Sequence, residues 1–74
     1  MEKEILEARR KFGKRLRELR KKNKWTQQEL ANEADIHVRH IQRLESDKPS
    51  AVELDSIVKL AKAFNITHQS LINF

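Results

Sequence analysis

Val38, Arg39, Gln42 and Arg43 set two guanidinium groups, a carboxamide and a methyl-bearing side chain within one short stretch. At about 100° per residue they fall on one side of a helix. These are the group types that read base edges: Arg bidentate to guanine, Gln to adenine, an apolar contact to the thymine methyl. Ile41 and Leu44 fall on the opposite side, flanked by His37 and His40. Most amphipathic surface helices show a similar division, so the stretch from 37 to 46 does not by itself separate base reading from a solvated polar face.

The elements that must hold this helix tip the balance. Thr26 is a good N-cap with Glu29 three residues on as its capping-box partner, and Trp25 to Leu30 has the spacing of a hydrophobic staple. Trp25 is therefore read as a core residue. Leu30, Ala31 and Ala34 face inward, and Asp35 and Ile36 make a tight turn into the 37–46 helix. A capped helix, a tight turn and a second helix form a helix-turn-helix, whose second helix enters the major groove of duplex DNA. The N-terminus of the first of these helices, with Gln27 and Gln28, then offers backbone N–H groups and amides to a phosphate.

Around this unit the pattern stays helical. Ile5, Ala8, Phe12, Leu16 and Leu19 form one apolar stripe over residues 4–22, with Gly13 inside it implying a close neighbour. Asn23 is expected to take the left-handed conformation that ends this helix. A fourth helix is expected from 50 to 64, opened by a Ser50–Glu53 box, with Val52, Leu54, Ile57, Val58, Leu60, Ala61 and Phe64 on its apolar side. Asn65 closes it, and Thr67 caps a short last helix carrying Leu71 and Ile72. The expected fold is all-α, a compact five-helix bundle.

Composition agrees with one small domain of 74 residues, with one Gly, one Pro and no Cys. Without thiols there is no disulfide and no thiolate metal site, which fits a cytoplasmic protein. No apolar run is long enough for a signal peptide or a membrane span. Residues 1–24 hold eleven Lys/Arg against four Glu, a net of +7, and residues 25–74 hold five against seven Asp/Glu, a net of −2. A basic block beside the helix-turn-helix points to a polyanion, and Arg17 and Arg20 are its candidates for phosphate contact.

The stretch FGKRLRELRKKNKWTQQELANEADIHVRHIQRLES, followed by LDSIVKLAKAFNIT, resembles the phage-repressor/Cro type of helix-turn-helix domain, the xenobiotic-response-element family. The likeness covers 12–74, with the helix-turn-helix unit at about 26–46, and leaves 1–11 as an extension of the first helix with no family role. It implies a lambda-repressor-like bundle, double-stranded DNA as partner, and a bacterial or phage transcription regulator, typically a repressor, that binds a palindromic operator as a homodimer. It further implies that Gln27 contacts a phosphate, that His37, Val38 and Arg39 face bases with Arg43 one turn on, and that Arg20 pairs with Glu45 near the DNA backbone. Ser46 and Lys48 would follow the phosphates. Three departures stand out: Asp35 where the turn usually has Gly, His37 where Ser or Thr usually caps, and Val38 where a polar residue usually meets Gln27.

Other chemistries are poorly served. His37 and His40 are three apart, but no carboxylate completes a metal site on that face, and His40 is better read as facing phosphate or the core edge. No nucleophile–base pair or Gly-rich phosphate loop suggests an enzyme, a cofactor or a small-molecule ligand. The apolar stripe of the first helix is too narrow for a membrane-surface helix. Leu71, Ile72 and Phe74 are candidates for a dimer contact. The alternative function is a protein-interaction module, such as an antitoxin whose main partner is another protein, with Ile5 and Leu6 beside Glu2, Glu4 and Glu7 as its surface.

Overall fold

Apolar side chains spaced three and four apart, in a segment with no Pro, draw the N-terminal region into one long helix. The computed structural model describes residues 2–74; Met1, where the expected extension begins, lies outside the described residues. Its elements are α1 (Lys3–Lys22), α2 (Gln27–Ala34), α3 (Val38–Leu44), α4 (Leu54–Ala63) and α5 (His68–Leu71), with no strand among the described residues. The fold is the all-α bundle expected.

At 1.5 Å per residue α1 is about 30 Å long, close to the 32 Å longest dimension of the molecule. The bundle covers only part of it. Phe12, Gly13 and Leu16 are buried, whereas Ile5 is 44% exposed and Ala8 is exposed. The N-terminal part of the apolar stripe thus has no core beneath it. Gly13 is where α1 meets α3: a Cβ there would collide with the Leu44 carbonyl oxygen and stand 3.3 Å from its carbon. The core joins Phe12 and Leu16 of α1 to Leu30, Ala31 and Ala34 of α2, Ile41 and Leu44 of α3, Leu60, Ala61 and Phe64 from α4, and Leu71 of α5. Trp25 stacks on Phe64 with ring centroids 5.7 Å apart.

Three helices end in the same way. Lys24, Asp35 and Asn65 have φ of 59°, 56° and 58°. In each case the N–H of the left-handed residue and that of the residue after it donate back into the last turn. The bonds are Lys24 to Lys21 and Trp25 to Arg20, Asp35 to Asn32 and Ile36 to Ala31, and Asn65 to Lys62 and Ile66 to Ala61. This is the Schellman arrangement, and the residue after the reversal is apolar each time. Trp25, Ile36 and Ile66 all pack against the core. Asp35 and Asn65 behave as expected, but Asn23 does not. It is right-handed, and its amide donates to the Leu19 carbonyl at 2.8 Å. The position of Trp25 decides this: for Trp25 to fold inward, the residue just before it must reverse, and that residue is Lys24.

Two boundaries also differ from expectation. α3 is shorter than 37–46, because His37 is its N-cap and Glu45 its C-cap, and Ser46 turns its hydroxyl back to the Arg43 carbonyl at 2.8 Å. α4 begins at Leu54, a turn later than 50. The Ser50–Glu53 box does not form; Glu53 is an extended N-cap with no side-chain bond. Residues 50–53 lie outside any helix, and Val52 packs on the core from this loop. Leu54 consequently opens the helix at 68% exposed and supplies none of its apolar side. Thr67 caps α5 by accepting from the Ser70 N–H at 3.0 Å. Leu71 is fully buried, which corrects its place among the dimer-contact residues: its surface is consumed inside its own chain.

Candidate nucleic-acid interface

The site is built from the start of α2 outward. Thr26 Oγ1 accepts from the Glu29 N–H at 3.1 Å, and a Glu29 carboxylate oxygen accepts from the Thr26 N–H at 2.9 Å, completing the capping box. This fixes the first turn of α2, where unpaired N–H groups and the positive end of the helix dipole favour an anion. Gln27 is half-buried and its amide donates to Glu45 Oε1 at 3.3 Å. Gln28 is exposed, and its amide donates to Asn32 at 2.9 Å along the helix surface.

Behind this turn lies a nearly buried ion pair. Arg20 Nε and Nη2 each donate to Glu45 at 2.9 Å, a bidentate pair, and Nη1 donates to the Trp25 carbonyl at 2.9 Å. Both side chains are nearly buried, at 11% and 4% exposed. The hydrogen bonds to Glu45 raise the Arg20 pKa above its ordinary value, with the carboxylate charge adding to them and burial opposing. The pair clamps the end of α1 to the end of α3, and Gln27 joins it from α2. Three elements of the site are thereby held in register.

α3 then presents its outer side. His37 caps it without a hydroxyl: Nδ1 accepts from the Arg39 N–H at 3.1 Å. Arg39, Gln42 and Arg43 are exposed and their side chains hold no bond to another of the described residues, so three polar groups of base-reading type stand side by side. His37, Arg39, His40 and Arg43 rim one shallow depression. His40 is half-buried. Val38 is half-buried too and packs against the core, so only part of its side chain faces outward. Of the loop after α3, Lys48 is exposed. Ser46 has both its hydroxyl and its N–H directed to the Arg43 carbonyl, at 2.8 and 3.3 Å, and keeps no donor for a phosphate.

On α1 the cations divide by role. Arg20 is held by Glu45, and Arg15 donates to the Ser70 carbonyl at 3.0 Å, tying α1 to α5. Arg17 is exposed and lines a hollow with Arg10, Gly13, Lys14, Glu45, Ser46 and Asp47. Arg10 and Lys14 are lining residues beyond those expected from the sequence. Their spacing from Arg17, i, i+4 and i+7, was the available signal for one helix side.

Two polar faces therefore flank a rigid joint: the outer side of α3 and the capped start of α2. A helix-turn-helix family model matches residues 16–71, which takes in both. The chain belongs to the Cro/C1-type helix-turn-helix family. No curated protein matches it. Membership makes the domain one of a helix-turn-helix family of DNA-binding type. No helix among the described residues is long and apolar enough to cross a membrane.

Proposed function

We propose that the protein is a cytoplasmic transcription regulator that binds double-stranded DNA sequence-specifically, as a homodimer on a palindromic operator. The observation that carries this reading is the unpartnered row of Arg39, Gln42 and Arg43 on the outer side of α3, held in place by the Arg20–Glu45 clamp. In the major groove, Arg39 and Arg43 donate to guanine edges and Gln42 engages adenine, with His37 and the outward part of Val38 at the entering end. The start of α2, with Gln27 and Gln28, meets a phosphate, as do Arg17, His40 and Lys48; Arg20 approaches the backbone from behind. Binding without a base contact fixes register, and base contacts fix sequence. Substitution separates the two. Arg43→Ala should cost about 1–3 kcal/mol on the preferred site and relax choice at one base pair. Gln27→Ala should weaken all duplexes alike. If Arg43→Ala weakens preferred and random duplexes equally, Arg43 is not a base reader.

The homodimer rests on a separate face. Ile72 and Phe74 are 45% and 53% exposed, and with Ala8, Phe12, Val52 and Ile57 they line an apolar hollow. A second copy is proposed to cover this face, and on two half-sites the recognition helices of such a dimer must lie about one DNA turn apart, roughly 34 Å. Ile72→Asp with Phe74→Asp should then shift sedimentation toward monomer and lower affinity for a full palindrome more than for a half-site. The exposure of Ile5 favours a second reading, a protein partner on the first turns of α1. A wild-type chain that stays monomeric on and off DNA would favour that reading over the dimer.

A further inference from the structure

We infer that the hollow between α1 and the loop after α3 is a second phosphate-binding site, in which Arg10 and Lys14 carry the DNA contact along α1. This rests on the DNA-binding reading above and adds residues that lie outside the helix-turn-helix unit. Arg10, Lys14 and Arg17 project from one side of α1, all three exposed, and line the hollow opposite Glu45, Ser46 and Asp47.

Three facts make the hollow an anion site and not a balanced salt-bridge surface. The Glu45 carboxylate is committed to Arg20 at 2.9 Å and offers little free charge to the hollow. That leaves three cations against Asp47. Next, Arg10 is positioned by the loop itself: its Nε donates to the Asp47 carbonyl at 2.9 Å, leaving its terminal N–H groups unengaged. A guanidinium anchored through one edge presents the rest of its planar fork with less freedom to lose on binding, the geometry suited to a phosphate. Finally, Ser46 has no donor left, since its hydroxyl and N–H both point to the Arg43 carbonyl. Among the side chains that line the hollow, the donors for an anion then come from α1. The hollow adjoins Glu45 at the end of α3, so a strand leaving the groove beyond Arg43 passes it. The site is the continuation of the same phosphate track.

Counterion release supplies the test. Each phosphate neutralised by a cation steepens the fall of log affinity with log salt by about 0.9. Wild type and Arg10→Gln/Lys14→Gln are titrated against one duplex of 20–30 base pairs at several salt concentrations, with a charge-matched Lys59→Gln/Lys62→Gln variant on the exposed side of α4 as control. The expected result is a slope shallower by about two for the double variant and unchanged for the control. Lys14→Gln alone, which breaks no hydrogen bond of the fold, should be shallower by about one. An unchanged slope in both α1 variants overturns the inference, and so does an equal change in the control, which would mean a diffuse charge effect. A wild type that binds no duplex defeats the DNA reading itself, a distinct result from either.

Discussion

Replacing Arg20 by Ala should cost this domain a large part of its stability. The side chain makes three hydrogen bonds, two to Glu45 and one to the Trp25 carbonyl, all at 2.9 Å. With Arg20 gone, Glu45 at 4% exposed keeps only the Gln27 amide at 3.3 Å. Removing one partner of a buried pair typically costs about 3–5 kcal/mol, because the remaining charge is desolvated and uncompensated. A chain of this size holds roughly 4–11 kcal/mol at 0.05–0.15 kcal/mol per residue. At about 4–8 °C per kcal/mol, the melting temperature should fall by at least about 12 °C. Removing both partners tells a different story: Arg20→Met/Glu45→Leu should recover most of the loss, since apolar groups of similar volume often replace such a pair at little cost. Thermal melts of the two single variants and the double variant give the coupling directly. A drop below about 3 °C in Arg20→Ala, or single-variant losses that simply add, would refute the clamp as the element that sets α3 against α1.

Two further substitutions test the backbone. Gly13→Ala gains about 1 kcal/mol of helix propensity, yet its Cβ collides with the Leu44 carbonyl, so the variant should melt lower than wild type; a higher melting temperature would mean α1 does not pass that close to α3. Asp35→Gly and Lys24→Gly each relieve a left-handed non-glycine residue and should stabilise the fold by roughly 0.5–1 kcal/mol, measured by urea titration, unless the turns differ from the Schellman form.

Much of the fold is written in local signals. Thr26 with Glu29, and Thr67, act through their own side chains, and Asp35 and Asn65 through a left-handed backbone, all within one turn of chain, so they can be read without knowing what packs where. The errors fall where tertiary packing outranks local preference. Ser50 and Glu53 have cap chemistry, but Val52 packs on the core from the loop, and the helix waits until Leu54. Asn23 has the better left-handed propensity, but Trp25 forces the reversal onto Lys24. Wheel geometry placed Val38 opposite Ile41 and Leu44; at the first turn of a seven-residue helix it still reaches the core edge. The outward placement of Arg39, Gln42 and Arg43 follows from the 3.6-residue period alone. The family likeness placed Arg20 opposite Glu45, 25 residues away, which no periodicity could do. The Arg10–Asp47 contact spans 37 residues and belongs to neither signal, which is why the α1 hollow emerges only in three dimensions.

The central claim is sequence-specific binding of duplex DNA through α3, and one titration addresses it most directly. Purified protein is titrated against random duplex DNA and against a pool enriched by selection, at several salt concentrations. The expected result is enrichment of a palindrome, bound about 10³-fold or more tighter than random duplex, with log affinity falling steeply as log salt rises. Weak binding with no preferred sequence at any salt concentration would contradict it, leaving the basic face of α1 as a general polyanion surface and the outer side of α3 without its proposed role.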